Sequence, residues 1–148
     1  MRLIKAMDAL QGQMTNCIAA FIYPAIRTAI TQCAADTERF RQAFAKRAAL
    51  AHSRLAAIPG MVCPRPAGAF YLFPDVSAHF GKRSKGGRLI SDCGDFVEAL
   101  LAEAHVATIP GKDFGGCGER HIRISFSCSE ETIEKGMGRI REFVEGLK

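Results

Sequence analysis

Pro59-Gly60 divides this sequence into two kinds of pattern. Before it, apolar residues recur at helical spacing with few breaks. After it, apolar runs are short and closed by proline or glycine. Ala69-Phe70-Tyr71-Leu72-Phe73 stops at Pro74, and Val106-Ala107-Thr108-Ile109 stops at Pro110-Gly111. Proline neither continues a helix nor donates to a β ladder, so these positions fix where elements end.

Leu3, Ile4, Met7, Leu10 and Met14 predict a first helix. No capping group precedes that stripe, so the expectation is that further chain belongs upstream. Asn16 is the expected N-cap of a second helix over 17–34. That helix is apolar nearly all round and is expected to be buried or docked against another body, with a kink at Pro24. A third helix over 38–58, capped by Asp36 or Thr37, carries the stripe Phe40, Phe44, Ala48, Ala51, Leu55 and Ile58.

Beyond Pro59-Gly60 the pattern reads as a short strand at 62–63, a strand at 69–73 and a polar loop over 77–88. A helix over 92–105 and strands at 106–109 and 121–127 follow. The last helix carries Ile133, Met137, Ile140, Val144 and Leu147, with Glu130 and Glu131 in its first turn to suit the helix dipole. The order predicts an α/β fold: a small-domain sandwich of a short mixed sheet covered by helices, preceded by linking helices. Residues 1–35 are assigned to the linking helices and 36–148 to the small domain.

Composition narrows the function. With 48% hydrophobic and 24% charged residues the chain is neither a disordered tail nor collagen-like. Its longest apolar run is broken by Pro24 and Arg27, so no membrane partner is expected. The net charge of +5 permits an anionic ligand. The basic residues of the third helix lack interleaved exposed aromatics, which reads as a solvated face, and no nucleic acid is expected. Six scattered cysteines without a C-x-x-C pair, and no leader pattern, read as free thiols in a cytoplasmic protein.

Most motif matches fail on chemistry. Gly81-Lys-Arg-Ser-Lys-Gly-Gly-Arg88 lacks the lysine and hydroxyl residue that a phosphate loop needs directly after its second glycine. Asp113-Phe114-Gly115 spells a kinase tripeptide without the rest of a kinase, and reads as coincidence. Cys117, His121 and Cys128 have no fourth ligand nearby, so no metal is expected. His52, His79 and His105 stand at no nucleophile spacing. Arg123 is different. It sits in a strand between apolar neighbours, on the side of Ser125 and Ser127, after a glycine-rich loop. An arginine there needs an anion, either a carboxylate ligand held by its planar fork or an Asp or Glu of the same chain.

Pro66-Ala-Gly-Ala-Phe-Tyr-Leu-Phe-Pro-Asp75, Val106-Ala-Thr-Ile-Pro-Gly111 with Asp113-Phe114-Gly115, and His121-Ile-Arg-Ile-Ser125 together resemble the class I pyridoxal-phosphate aminotransferases. Ser129-Glu130 and Gly136-x-x-Arg139-Ile140 extend the match. Leu3-Ile-Lys-Ala-Met7 with Leu10-Gln11 resembles the segment just past that family's cofactor lysine. The insert over 81–91 and Asp95-Phe96-Val97 look most like the bacterial aspartate aminotransferase branch.

The resemblance implies the C-terminal portion of a fold-type I enzyme, a homodimer in its full-length form. In that family pyridoxal phosphate carries an amino group between an amino acid and a 2-oxo acid. It places Arg123 on the arginine that binds the substrate α-carboxylate. Thr15 and Asn16 fall near a turn approaching the second subunit's site. The family's cofactor lysine precedes the opening helix, so Lys85 is not its counterpart, no catalytic residue is expected here and the chain alone is expected to be inactive. Lys112 departs from the small residue common in its loop. The alternative is a stand-alone carboxylate-binding or protein-interaction module without catalysis.

Overall fold

The structure, a computed structural model, describes residues 2–15 and 17–148. The chain packs as two units, one ending at Arg41 and one spanning Gln42–Lys148.

The first unit is helical. Helix α1 runs Arg2–Met14 and helix α2 runs Tyr23–Gln32. Neither buries a residue, so the burial expected of the second helix is not found within the described residues. That helix is also shorter than the sequence predicts. Residues 17–19 are not helical, Ala20–Ile22 form a 3₁₀ turn, and Pro24 lies in the first turn of α2. Pro24 therefore starts the helix instead of kinking it. Its missing N–H would be unpaired there anyway, and its fixed φ suits a helix start. The expected cap Asn16 lies outside the described residues. Helix α3, Ala34–Ala56, begins before its expected caps. Thr37 donates its hydroxyl back to the Cys33 carbonyl at 3.1 Å, and Asp36 pairs with Arg39 at 2.8 Å, so both lie inside the helix.

The second unit holds the sheet. Strands β1 (Tyr71–Leu72), β2 (Ile109–Pro110) and β3 (Ile122–Ser125) lie in the order β1-β3-β2. Tyr71 stands opposite Ser125 and Leu72 opposite Ile124, while Ile109 stands opposite Arg123 and Pro110 opposite Ile122. Both pairings are antiparallel, so these strands do not make the mixed sheet expected. Residues 111–121 are too short a connection for a parallel crossover, which takes about a dozen residues or more. Val62 contributes an isolated bridge to Asp75, not a strand.

Helix α4, Cys93–Ala104, and helix α5, Glu130–Glu145, pack on one another and over this sheet. Asp92 caps α4 by accepting from the Asp95 amide at 2.9 Å, and Ser129 caps α5 by accepting from Thr132 at 3.2 Å. Leu55, Phe96, Leu100, Ile122, Phe126 and Ile140 are at most 1% exposed. Burying such side chains contributes about 1.5–3 kcal/mol each, which makes this the part of the chain with a real core.

Candidate functional site

Strand β3 sorts its residues by parity. Ile122, Ile124 and Phe126 enter the core, and Arg123 and Ser125 take the opposite face. Tyr71, opposite Ser125 on β1, shares that outer face. Arg123 is half-buried, and its guanidinium carbon lies 4.4 Å from the centroid of Tyr71 and 4.4 Å from that of Phe114. Among the described residues none of the ion pairs involves Arg123. No Asp or Glu among the described residues pairs with it, and two aromatic rings stand beside the cation. Each such contact contributes roughly 0.5–2 kcal/mol, more as water is excluded.

Phe114 reaches the arginine because its loop is short and closed. It ends the 3₁₀ turn Gly111–Phe114, and a second 3₁₀ turn, Gly116–Gly118, follows. Gly111 and Gly118 approach so closely that a Cβ on either would collide with the other's carbonyl. The Gly111 amide donates to the His121 carbonyl at 2.8 Å, which ties the loop to the start of β3. Lys112 fastens the other side by pairing with Asp92 at 3.1 Å. The Asp95 amide and then Lys112 hold the Asp92 carboxyl below the usual carboxylate range, and Asp92 in turn raises Lys112. The ring array continues past the arginine. Phe73 meets Phe114 edge-on at 6.1 Å and stacks on His121 at 4.9 Å with 7° between the planes.

The chemistry of this arrangement suits an anion. A planar cation with no carboxylate on it among the described residues suits one carboxylate held through two N–H donors. The surroundings of Arg123 do not fit pyridoxal phosphate. That group needs a lysine amine, a nest of backbone N–H groups for its phosphate and a carboxylate for its ring nitrogen, all converging. Here Lys112 is turned to Asp92, and the faces next to the guanidinium are aromatic.

The other sequence candidates do not join this site. Thr15 is exposed in the first unit, its amide bonded to the Gln11 carbonyl at 2.8 Å, and Asn16 lies outside the described residues. Lys85 lines a shallow depression of about 220 Å³ with Glu103, His105, Arg139 and Glu142. The basic loop around it spends its groups internally. Arg88 pairs with Glu98 at 2.8 Å, Ser84 donates to Glu103 at 2.5 Å, and the Arg88 amide donates to the Ser84 hydroxyl at 3.2 Å. Two basic residues of α3 are likewise met by acids, Lys46 by Glu130 and Arg54 by Glu134.

Cys117 is exposed, Cys128 half-buried, and among the described residues no three His, Cys, Asp or Glu groups converge as a metal set. All six cysteines are free thiols, and no described helix is long and apolar enough to cross a membrane. His79 is 2% exposed against Phe96, beside the Pro59 backbone. Burial, and then Lys82, depress its pKa.

Sequence reasoning missed Tyr71 and Phe114. The outward parity of Tyr71 relative to Leu72 was a usable signal. For Phe114 the tripeptide Asp113-Phe114-Gly115 entered the family resemblance, but nothing in it pointed to Arg123.

With this geometry in place, similarity to known proteins becomes informative. Residues 2–140 match the family model for aminotransferase class I and II. The chain is 37% identical over 145 residues to an aspartate/prephenate aminotransferase of Cereibacter sphaeroides, covering 98% of this chain and 36% of that protein. It is 36% identical to an aspartate aminotransferase of Geobacillus stearothermophilus, covering 97% of this chain and 35% of that one. The aspartate aminotransferase structure from Rhizobium meliloti superposes with a TM-score of 0.90 at 33% identity, covering 99% of this chain and 36% of that one. The chain thus spans about a third of the length of the relatives it matches.

Proposed function

This chain belongs to the class I and II aminotransferase family, and from that premise we propose that it is the C-terminal portion of a pyridoxal-phosphate-dependent aminotransferase. Residues 1–35 serve as its linking helices and 36–148 as its small domain. Its task is to receive the acid group of the substrate, an aspartate-like amino acid or a 2-oxo acid. The observation that carries this reading is Arg123, held outward on β3 between two rings with no ion pair of its own.

The chemistry follows from that placement. The guanidinium offers two parallel N–H donors to one carboxylate and fixes the plane of the acid group. Tyr71 and Phe114 exclude water from the cation and strengthen its attraction for the anion. Neither ring accepts or gives up a proton in this task. The cofactor that the family uses supplies the electron sink for amino transfer, and its lysine and phosphate nest belong to chain beyond these residues. These residues alone therefore bind a carboxylate and do not transaminate. The whole protein works in the cytoplasm as a homodimer.

Two measurements test this. Calorimetry with succinate is expected to show one saturable site, lost in Arg123→Gln. Incubation with pyridoxal phosphate and borohydride is expected to leave no adduct on any single lysine. Absent succinate binding sinks the role of Arg123, and a stoichiometric adduct on one lysine sinks the claim of inactivity.

A further inference from the structure

We infer that Tyr71 and Phe114 are positioning residues for Arg123, holding its guanidinium plane so that only the hydrogen-bonding edge is open to a carboxylate. The inference rests on Arg123 being the carboxylate receiver. Three observations carry it. Both ring centroids lie 4.4 Å from the guanidinium carbon. The two rings come from separate elements, β1 and the 3₁₀ turn after β2, so each is placed on the cation independently of the other. The loop that carries Phe114 is fixed by the Gly111 and Gly118 approach and by the Lys112 pair with Asp92.

The physical consequence lies in how arginine divides its surfaces. Its five N–H donors lie in the guanidinium plane, and its two faces bond to nothing but π systems. An ion pair to an internal carboxylate would fix the side chain and use up donors. Stacking between rings restrains the same side chain and uses none. Arginine is among the side chains with most rotamer freedom to lose on binding. A cation already restrained loses less of it when the ligand arrives. The rings are thus a device for orientation, and removing one weakens binding while leaving the charge in place.

The test uses the intact ¹⁵N-labelled chain, with the Arg123 Nε–Hε resonance assigned by its loss in Arg123→Lys. In the wild type that resonance is expected to be displaced by ring currents and to move further as succinate is added. Tyr71→Leu and Phe114→Leu are each expected to return it toward the position of exposed arginines and to weaken succinate roughly three- to tenfold. Tyr71→Phe and Phe114→Tyr are expected to restore both. Phe114 is 46% exposed, so its substitution leaves the core intact and keeps the test valid if Tyr71→Leu fails to fold. Unchanged succinate affinity in Phe114→Leu overturns this inference alone. Absence of saturable binding by the wild type overturns the assignment of Arg123, and this inference with it.

Discussion

Helices α1 and α5 carry stripes of similar clarity and opposite fates. On α1, Leu3, Ile4, Met7, Leu10 and Met14 are 61–73% exposed. On α5, Ile133, Met137, Ile140 and Val144 are 1–5% exposed. A stripe tells that one face of a helix is suited to burial, and it does not tell what covers that face. In the Gln42–Lys148 unit the cover is β3 and α4, within the chain. For α1 and α2 no cover exists among the described residues, while the relatives are about three times as long. Arg123 belongs to the unit that completes its own core, and both rings beside it, Tyr71 and Phe114, come from that unit.

The contrast can be broken by symmetrical truncations. Phe96→Ala, in the core at 0% exposure, is expected to cost about 3–5 kcal/mol in urea unfolding. Met7→Ala, on α1 at 61% exposure, is expected to change stability by less than about 0.5 kcal/mol. Equal losses from the two would mean that α1 is packed as firmly as the core.

A second substitution sharpens the account of the loop over the site. Gly118→Ala forces a Cβ into the Gly111 carbonyl, and is expected to cost about 1–3 kcal/mol as an overpacked contact. It should also displace Phe114, which the Arg123 Nε–Hε resonance reports. A stable variant with an unmoved resonance would show that the loop is looser than this packing implies.

The buried His79 is expected to make the core unit sensitive to acid. Its folded pKa is depressed, so the neutral ring favours folding fully above the ordinary histidine value of about 6.5. As pH falls below that value the unfolded chain takes up the proton first. Stability then falls by about 1.4 kcal/mol per pH unit until the folded pKa is reached. His79→Leu is expected to flatten the difference in urea midpoint between pH 7 and pH 5.5. An unchanged slope would place the acid sensitivity elsewhere.

The smallest effect concerns Lys112→Met, whose exposed pair with Asp92 contributes little to stability. The expected result is an unchanged unfolding midpoint with a measurable shift of the Arg123 resonance, because the latch steers Phe114 more than it stabilises the fold.

Parts of this were legible in the residues alone. The alternation of Ile122, Ile124 and Phe126 with Arg123 fixed which side the arginine takes, since a strand has no other parity. The stripe of α5 and the caps Asp92 and Ser129 are local signals, written within one or two turns. The outward parity of Tyr71 was legible, but the meeting of the two rings at Arg123 was not. Tyr71 and Phe114 meet the guanidinium across the sheet and from a loop, and no spacing in the chain encodes that meeting. Pro24 was misread because proline suits a helix start as well as a kink, and only its flanking backbone decides between them.

A crystal of the intact chain grown with succinate tests the central assignment most directly. One succinate carboxylate should lie along the open edge of the Arg123 guanidinium, joined by two N–H···O bonds, with Tyr71 and Phe114 still flanking the cation. Arg123 drawn onto an Asp or Glu of its own chain, with succinate bound elsewhere or not at all, would contradict it.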